Sequence, residues 1–381
     1  MKSCLKVKKE HSIGGINIVI LSLFVYSCNT LKIKGNINPL AKLSMRYFNS
    51  ANGYNFKENE YRIIFYTIFS PKCLEFKFNC KCEKFAMLIM MLQIDYIRFS
   101  YLCSNVFFLL FMEKITMLGT GAAMVTKCYN TCFTISNSDD DSHFLVDAGG
   151  GNGILQQLEK SEIKICQIHN AFISHNHTDH ILGMVWIVRY IAQEINKDRY
   201  EGCFTIYGHQ KSLDALHTMC SLLLQPRQSK LIGERIILFP IEHKKELDIE
   251  NRHFVFFDIH SKKELQHGFT VVLRNKQKLA FLGDEPYNEA NEEIIKGSDI
   301  IMEEAYCLYS EREKFNPYPK SHGTVLDSCV NAEKLGAKTT ILFHTEGRTP
   351  LTERKMRYTA EGKTVYSGRL LVPNDLEVIE L

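Results

Sequence analysis

A short run of potential metal ligands constrains this sequence more than any other feature. Residues 174–180 read Ser-His-Asn-His-Thr-Asp-His and follow an apolar stretch that predicts a buried strand. Alternate residues of an extended segment point the same way, so His175 and His177 can bind one cation. Asp179 and His180 lie at the turn into a predicted helix, offset toward a second cation. Imidazole and carboxylate ligands suit zinc, manganese and iron. The alternative is a polar turn that only caps the helix.

Beyond Met112 the sequence alternates short apolar runs with turns rich in Gly and Asp. Strands are predicted at 114–118, 144–146, 171–174, 203–207, 235–239, 253–259, 269–273, 278–283, 299–303 and 339–343. Helices are predicted at 152–160, 179–196, 210–224, 288–296, 324–335 and 351–361. Many strands that alternate with helices, together with hairpin-like neighbours, predict an α/β domain with mixed sheets in layers.

Two further candidate ligands follow predicted strands. Asp284 comes directly after the strand 278–283, where Gly283 allows the backbone to approach a metal closely. His344 follows the strand 339–343 in the equivalent way. Each could instead cap a turn, as strand-end Asp and His often do. Together with the run at 174–180 they form a coherent ligand set for a site with two metal ions.

The first 111 residues have a different composition from the remainder. They contain 15 Lys or Arg and 6 Asp or Glu, a net charge of +9, whereas residues 112–381 contain 31 and 37, a net charge of −6. We therefore divide the chain into an N-terminal extension, 1–111, and a second domain, 112–381, which carries the candidate metal ligands. The extension has three interpretations: a translated leader upstream of a true start at Met112, an export signal or membrane anchor within residues 1–28, or a small domain.

The net charge bears on the binding partners, and the cysteines bear on the cellular compartment. The overall net charge of +3 does not indicate a nucleic-acid or anionic-membrane partner. The 13 cysteines are odd in number, and the seven in residues 112–381 include no C-x-x-C pair, which indicates a reducing compartment. We expect a cytoplasmic protein. If residues 1–28 act as a signal, the alternative is a membrane-anchored or exported protein, and only then would it contact a membrane.

Residues 112–381 resemble the metallo-β-lactamase fold, most closely its ribonuclease Z-like branch. The supporting residues, in the family's order, are Leu118-Gly-Thr-Gly121, Val146-Asp-Ala-Gly149, Ser174-His-Asn-His-Thr-Asp-His180, Gly283-Asp284, Glu304-Ala305, His322-Gly-Thr324 and His344. The resemblance implies an αββα sandwich, in which two mixed β-sheets are flanked by helices and the metal site lies at one edge. Residues 1–111 have no counterpart in the family.

The resemblance also implies two divalent metal ions, zinc by preference, with manganese or iron as alternatives. The first ion would be held by His175, His177 and a later histidine, the second by Asp179, His180 and His344, and Asp284 would bridge both. The later histidine is one of His243, His253, His260 and His267. We expect His260, because it ends an apolar run and precedes the Gly268-Phe269 pair by eight residues. Asp147 is expected to brace the histidine loop.

The same resemblance implies a mechanism. A hydroxide that bridges the two metals would be the nucleophile, and Asp179 would orient it or take its proton. His322 would steady the phosphate or protonate the leaving oxygen, supported by Glu304; its alternative role is that of a neighbour of a helix cap. Two departures from the family occur. Gly323 replaces a serine, and Glu303-Glu-Ala-Tyr306 stands where the family has His-Glu-Ala-Thr.

The substrate is inferred from a missing feature. Ribonuclease Z carries a basic arm that holds transfer RNA between the third histidine and the bridging aspartate, but His260 and Asp284 are only 24 residues apart and two strands fill the interval. We therefore predict a phosphodiesterase for small or flexible phosphodiesters, with structured transfer RNA disfavoured. Alternatives are a thioesterase, sulfatase or lactonase of the same fold, or a metal-binding protein without turnover. By analogy with relatives, a homodimer is expected.

Overall fold

The computed structural model describes residues 41–44, 60–67, 70–79, 113–137 and 142–381. The chain divides into two compact units, residues 1–101 and 102–381. In the first unit three antiparallel strands form a sheet: β1 Ala41–Ser44, β2 Glu60–Thr67 and β3 Ser70–Asn79. The segment 1–28 and the junction at Met112 lie outside the described residues, so the proposed extension stays a prediction. Within the described ranges, every helix is too short or too polar to cross a bilayer.

The described part of the second unit contains two seven-stranded sheets. The first sheet has the order β17-β4-β5-β6-β7-β8-β9. Its strands are β4 Glu113–Gly119, β5 Cys132–Asn137, β6 His143–Val146, β7 Asn170–Phe172, β8 Phe204–Gly208, β9 Ile236–Pro240 and β17 Val378–Glu380. Neighbouring strands are antiparallel from β17 to β6 and parallel from β6 to β9.

The second sheet runs β10 to β16 in sequence order. Its strands are β10 Lys245–Ile249, β11 Arg252–Asp258, β12 His267–Val272, β13 Lys278–Phe281, β14 Ile300–Glu304, β15 Thr339–Phe343 and β16 Arg369–Leu371. Neighbours are antiparallel from β10 to β13 and parallel from β13 to β16. Both sheets therefore repeat one pairing scheme, with three antiparallel pairings followed by three parallel ones.

Aromatic side chains fill the space between the two sheets. Their inward faces contribute the buried residues Phe133, Phe144, Phe172, Phe254, Phe256, Phe269, Phe281 and Phe343. Several of these rings meet at centroid distances of 4.7–5.6 Å, in the range at which aromatic pairs stabilise a core beyond simple burial. The apolar inner faces of both sheets explain why the strands pack face to face.

Helices cover the two outer faces. Gly153–Lys160, Thr178–Ile195, Gln210–Leu223 and Pro226–Ser229 lie over the first sheet, and Glu292–Ile295, Val325–Leu335 and Leu351–Gly362 over the second. A further short helix, Arg312–Phe315, and the 3₁₀ turns Ile165–Gln167, Glu289–Asn291, Tyr309–Glu311 and Tyr318–Lys320 lie in connections. The layers are helix, sheet, sheet and helix, so the predicted αββα sandwich is confirmed.

A buried ion pair joins the two sheets at one edge. Arg252, the first residue of β11, places its Nη2 atom 2.9 Å from the carboxylate of Glu113, the first residue of β4. Both side chains are fully buried. The guanidinium also donates to Glu250 at 3.0 Å. Removing one partner of such a pair leaves an uncompensated buried charge and costs roughly 3–5 kcal/mol.

The helix Thr178–Ile195 approaches the first sheet unusually closely. The N–H of Gly183 donates to the carbonyl of Gly149 at 2.8 Å, and a Cβ atom at Gly183 would lie only 1.8 Å from the carbonyl oxygen of Ala148. Only glycine fits at this contact. The close approach holds the first turn of the helix against the loop that follows β6.

Candidate metal centre

The predicted ligands lie in loops at the carboxyl ends of parallel strands. His175 and His177 follow β7, Asp284 follows β13, and His344 follows β15. Parallel strands end at the same edge of a sheet, and the two sheets face each other, so these loops converge. His177 has an extended backbone and immediately precedes the helix Thr178–Ile195, which places Asp179 in its first turn.

One carboxylate oxygen of Asp284 lies at the middle of the cluster. Its Oδ2 atom is 3.6 Å from Nε2 of His175, 3.7 Å from Nε2 of His180 and 3.7 Å from Nε2 of His344. These separations exceed hydrogen-bond length. Donor atoms that share one tetrahedral zinc ion at about 2.0–2.2 Å are separated by roughly 3.3–3.6 Å. The spacing therefore matches a set of ligands around a cation better than a hydrogen-bonded network.

Two overlapping groups of side chains could each hold an ion. One consists of His175, His180 and Asp284, and the other of Asp179, His180 and His344. Within each group all the ligand atoms lie within 4.8 Å of one another, and every member is buried. His177 adjoins the first group, with its Nδ1 atom 2.8 Å from Nε2 of His175. The structure thus brings together six of the seven predicted ligands.

Hydrogen bonds from outside the cluster fix the orientation of the imidazoles. Asp147 accepts from the N–H of Ser174 at 2.8 Å, from the Ser174 hydroxyl at 2.7 Å and from Nδ1 of His180 at 2.8 Å. The Thr131 hydroxyl lies 3.1 Å from Nδ1 of His344 and donates its proton to the backbone carbonyl of Gly121. Because that proton is already used, Nδ1 of His344 donates to the hydroxyl oxygen. With the proton on Nδ1, the Nε2 atoms of His180 and His344 are free to bind a cation.

The pKa shifts of His175, His344 and Asp284 fit a metal ion. Burial opposes protonation of His180, but the Asp179 and Asp147 carboxylates raise its pKa well above the usual range, so His180 would release a proton on binding a cation. Burial lowers the pKa of His175 well below its usual range and that of His344 to about 3, so both rings are neutral at pH 7 and able to ligate. Burial alone would raise the pKa of Asp284, but His175 and His344 hold it well below its usual range. In addition, Nε2 of His180 and Oδ1 of Asp284 are buried without a hydrogen-bond partner. A divalent cation would satisfy both orphaned atoms.

His260, the expected third histidine, does not join the cluster. Its imidazole is 42% exposed, 4.0 Å from the Asp258 carboxylate and 5.8 Å, between ring centroids, from His243. The residue follows β11 in a left-handed conformation, with φ of 59°, and its N–H donates to Asp258 at 2.7 Å. His260 belongs to neither of the two ligand groups. The structure therefore does not place His260 among the candidate ligands of the first ion, where the sequence predicted it.

The other three histidines weighed for that position also lie outside both ligand groups. His243 accepts a bond from the N–H of Asp258, and the half-exposed His253 contacts Asp248 at 2.8 Å. His267 is buried, with neither ring nitrogen hydrogen-bonded, and its ring centroid is 5.7 Å from that of His209. Among the described residues, the first group therefore has three or four protein ligands, all from the segment 175–180, which includes the first turn of the helix Thr178–Ile195, and from the loop after β13.

His322 lies beside the cluster. Its ring centroid is 5.3 Å from that of His344, and its Nδ1 atom is 3.1 Å from the backbone carbonyl of Asp284. Nδ1 also lies 3.6 Å from the carboxylate of Glu304, which accepts the N–H of Gly323. Burial opposes protonation of His322, but the Glu304 carboxylate outweighs it and raises the pKa of the ring. This arrangement directs a proton-bearing imidazole to the edge of the metal cluster.

Tyr306, a residue that sequence reasoning treated only as a departure from the family, contacts His322. The two rings are almost parallel, with centroids 5.0 Å apart and an interplanar angle of 12°. Ser174 and Thr131 were also missed as supports of the ligands. Their hydroxyls are ordinary in the sequence, and only the folded arrangement places them behind His175 and His344.

Comparisons with known proteins identify the family. The family described as Anti-Pycsar protein Apyc1 matches residues 113–313, more than half of the chain. The chain belongs to this family. Ribonuclease Z from Methanococcus maripaludis strain C6 is 26% identical over 282 residues, which cover 62% of this chain and 88% of that protein. Ribonuclease Z from Thermococcus sibiricus is 22% identical over 311 residues, which cover 71% of this chain and 97% of that protein.

Solved structures agree on the fold. The metallo-β-lactamase fold protein YhfI from Bacillus subtilis matches with a TM-score of 0.58 at 16% identity, covering 71% of this chain and all of that protein. The human tRNase Z, short form, matches with a TM-score of 0.52 at 21% identity, covering 70% and 98%. The predicted resemblance to ribonuclease Z-like metallo-β-lactamase proteins is confirmed, as is the prediction of a metal-dependent hydrolase of that type.

Proposed function

We propose that this protein hydrolyses small or flexible phosphodiesters with two divalent metal ions, zinc by preference, bound at the cluster around Asp284. The observation that carries the proposal is the position of the Asp284 carboxylate, which faces three buried imidazole nitrogens at 3.6–3.7 Å. Neutral imidazoles and ionised carboxylates are the donor set that zinc prefers, and manganese or iron also accept it.

The two ligand groups share His180, and we assign it to the second ion in the proposed site. His175, His177 and Asp284 would hold one ion, while Asp179, His180 and His344 would hold the other, with Asp284 between them. His260 can complete the first set only if its ring turns inward from Asp258. When bound, such a pair of ions lowers the pKa of water and offsets negative charge on phosphoryl oxygens.

The chain itself supplies the proton transfers. Burial opposes ionisation of Asp179, but His180 outweighs it and holds the pKa of the carboxyl well below its usual range, so Asp179 is an acceptor at neutral pH. Its Oδ2 atom lies 3.4 Å from Nε2 of His180. On the other side, His322 carries a proton that Glu304 stabilises. We assign Asp179 to orienting the attacking water and His322 to protonating the leaving oxygen.

The shape of the second sheet supports a small substrate. β12 ends at Val272 and β13 begins at Lys278, so only a tight turn joins them. No arm protrudes in this part of the structure. The net charge of −6 over residues 112–381 also provides little of the basic surface that contact with a nucleic-acid backbone requires. Both features disfavour structured transfer RNA as the substrate.

Hydrolysis of bis(4-nitrophenyl) phosphate by the full chain tests the proposal. Purified protein loaded with zinc, manganese or iron should release 4-nitrophenolate, and Asp179→Asn should lower kcat by at least about 100-fold. The matched control is Asp214→Asn, an exposed carboxylate that bonds Gln210 at 2.8 Å on another helix; its activity should equal that of the wild type. Metal analysis of both variants separates lost ligation from lost chemistry.

Other outcomes would select other functions. Turnover of S-lactoylglutathione or of a sulfate ester or lactone, without phosphodiester cleavage, would assign the site to another hydrolase of the fold. Tight metal binding without turnover on any of these would indicate a binding protein.

We also propose a homodimer, to be measured by sedimentation equilibrium, and a reducing cytoplasm, since the seven cysteines among the described residues are all unpaired.

A further inference from the structure

A fully buried arginine bonds the residue that follows the candidate metal ligand His344. This arginine, Arg354, belongs to the helix Leu351–Gly362 and is completely shielded from solvent. It donates four hydrogen bonds, all to neutral oxygen atoms, and its Nε atom has no partner. The acceptors belong to Thr345, Thr120, Pro373 and Asn374. Because burying a cation is costly, such a residue is a candidate for a functional role.

The shortest of these bonds fixes Thr345, the residue after His344. Nη1 of Arg354 donates to the Thr345 hydroxyl at 2.6 Å. The backbone of Thr345 is held as well, since its N–H donates to the carbonyl of Thr120 at 3.0 Å and its carbonyl accepts the N–H of Ala122 at 3.0 Å. Thr345 is therefore bound through both its side chain and its backbone.

His344 depends on this support because of its backbone conformation. Its φ is 55°, in the left-handed region that residues other than glycine rarely adopt. Such a conformation persists only where the surrounding structure enforces it. The fixed position of Thr345 determines where the chain continues after His344. It therefore also determines the direction in which the imidazole leaves the backbone toward Asp284, whose Oδ2 atom is 3.7 Å from Nε2.

Arg354 also fixes the segment that contacts the ring of His344. Its Nη2 atom donates to the Thr120 hydroxyl at 3.0 Å. The carbonyl of the next residue, Gly121, accepts the Thr131 hydroxyl at 3.1 Å, and that hydroxyl lies 3.1 Å from Nδ1 of His344. One guanidinium thus supports both the backbone beyond His344 and the hydroxyl behind its ring.

The planar shape of the guanidinium suits this role. Its donors form a rigid fork, whereas a lysine offers a single ammonium group on a flexible stem. Nη1 and Nη2 therefore hold Thr345 and Thr120, which are far apart in sequence, at a fixed separation. Nη2 also bonds the carbonyl of Pro373 at 3.0 Å and Oδ1 of Asn374 at 3.2 Å. Arg354 thereby joins three separate segments of the chain at one point.

We propose that Arg354 is a positioning residue for His344, which it orients toward the second metal ion through Thr345 and Thr120. The inference rests on the proposed function, because it assumes a metal ion at the ligand group that contains His344. The contacts of Arg354 do not include a ligand of the first ion. Loss of Arg354 should therefore weaken the binding of one ion and leave that of the other unchanged.

Zinc competition on the metal-free full chain tests the proposal. Titration against a chromogenic chelator should report two bound equivalents for the wild type. Thr345→Val removes the hydroxyl with little change in shape, and Arg354→Met removes the guanidinium; each should weaken one equivalent by about tenfold or more. The double variant should bind zinc as Arg354→Met alone does, because both changes break the same linkage. Thr345→Ser keeps the hydroxyl and should bind both equivalents like the wild type.

Two further variants control for a general loss of packing. Thr340→Val removes another buried hydroxyl from β15, which donates to a carbonyl of β14 at 3.3 Å. Arg357→Met removes an arginine of the same helix that pairs with a glutamate at 2.9 Å. Both should bind zinc like the wild type. The proposal is overturned if Thr345→Val and Arg354→Met keep both affinities, or if Thr340→Val loses as much affinity as Thr345→Val.

A second measurement does not depend on bound metal. Wild-type protein that binds no zinc would contradict the proposed function, but amide exchange of the metal-free chain would still test the role of Arg354. The segment 344–346 should exchange about fivefold faster in Thr345→Val than in the wild type or in Thr340→Val, since it loses one buried hydrogen bond. Equal exchange in the three proteins would reject the positioning role.

Discussion

Asp147→Asn isolates the charge that orients the metal ligands. Asp147 is fully buried, adopts a positive φ of 52° and accepts three hydrogen bonds from Ser174 and His180. Asparagine has the same shape and tolerates the same backbone conformation. Its Oδ1 atom can still accept the N–H of Ser174, but its NH₂ group would face the Nδ1–H of His180. Two donors would then meet in a buried site.

The protein can relieve this conflict only by moving a proton. If His180 shifts its proton to Nε2, the nitrogen that faces Asp284 and Asp179 can no longer bind a cation. If it does not, a buried donor loses a charge-assisted bond at a cost of about 1.5–3 kcal/mol. We therefore expect Asp147→Asn to lose about 1.5–3 kcal/mol of unfolding free energy and about 10–100-fold in metal affinity.

Urea unfolding and metal-competition titrations measure the two effects. The control is Asp248→Asn, because Asp248 contacts His253 at the same 2.8 Å, but both side chains are solvent-exposed. Such a pair contributes about 0–1 kcal/mol and no metal affinity. If Asp147→Asn were as stable as Asp248→Asn and bound metal as tightly as the wild type, the orienting role of Asp147 would be refuted.

Three further outcomes are expected. Gly183→Ala should lose about 1–3 kcal/mol in urea unfolding despite the higher helix propensity of alanine, because its Cβ would meet the Ala148 carbonyl; unchanged stability would contradict the close contact. Burial lowers the pKa of His267 from 6.5 to about 4, so the unfolded chain binds a proton between these pH values and the folded protein does not. The free energy of unfolding should therefore fall by about 3 kcal/mol between pH 6.5 and pH 4 because of this residue. His267→Gln should abolish that part of the pH dependence of unfolding. Removing metal with a chelator should lower stability by about 3 kcal/mol relative to protein in zinc at 100 times Kd; identical melting curves would argue against a bound ion.

Local sequence patterns predicted the elements that carry the site. The apolar runs before His175, Asp284 and His344 have the length and composition of buried parallel strands, and each ends where its ligand begins. Within residues 112–381, the strands β5, β10, β16 and β17 were not predicted from the sequence. Three of these lie at sheet edges or near a chain end and are short or partly polar, so their alternation is weak.

The position of His260 could not be read from the sequence. Spacing from Gly268 placed it correctly at the end of β11, but the direction of its ring depends on a left-handed backbone conformation and a bond to Asp258. Neither is encoded by hydrophobic periodicity. The predicted helix 288–296 likewise became a 3₁₀ turn and a single short helix, Glu292–Ile295, because the segment contains few residues that bury against the sheet.

The two sheets are linked differently at the two edges of the sandwich, because the buried Arg252–Glu113 ion pair lies at only one of them. Both residues begin strands that run toward the ligand loops, so the pair lies at the far edge from Asp284. At that far edge, an ion pair between two side chains of the protein links the sheets. At the near edge, the ligand loops would be held together by a bound metal ion. In metal-free protein, amide exchange should therefore accelerate in the loops of His175 and His344, while the aromatic core between the sheets and the strand ends at Arg252 and Glu113 keep their protection.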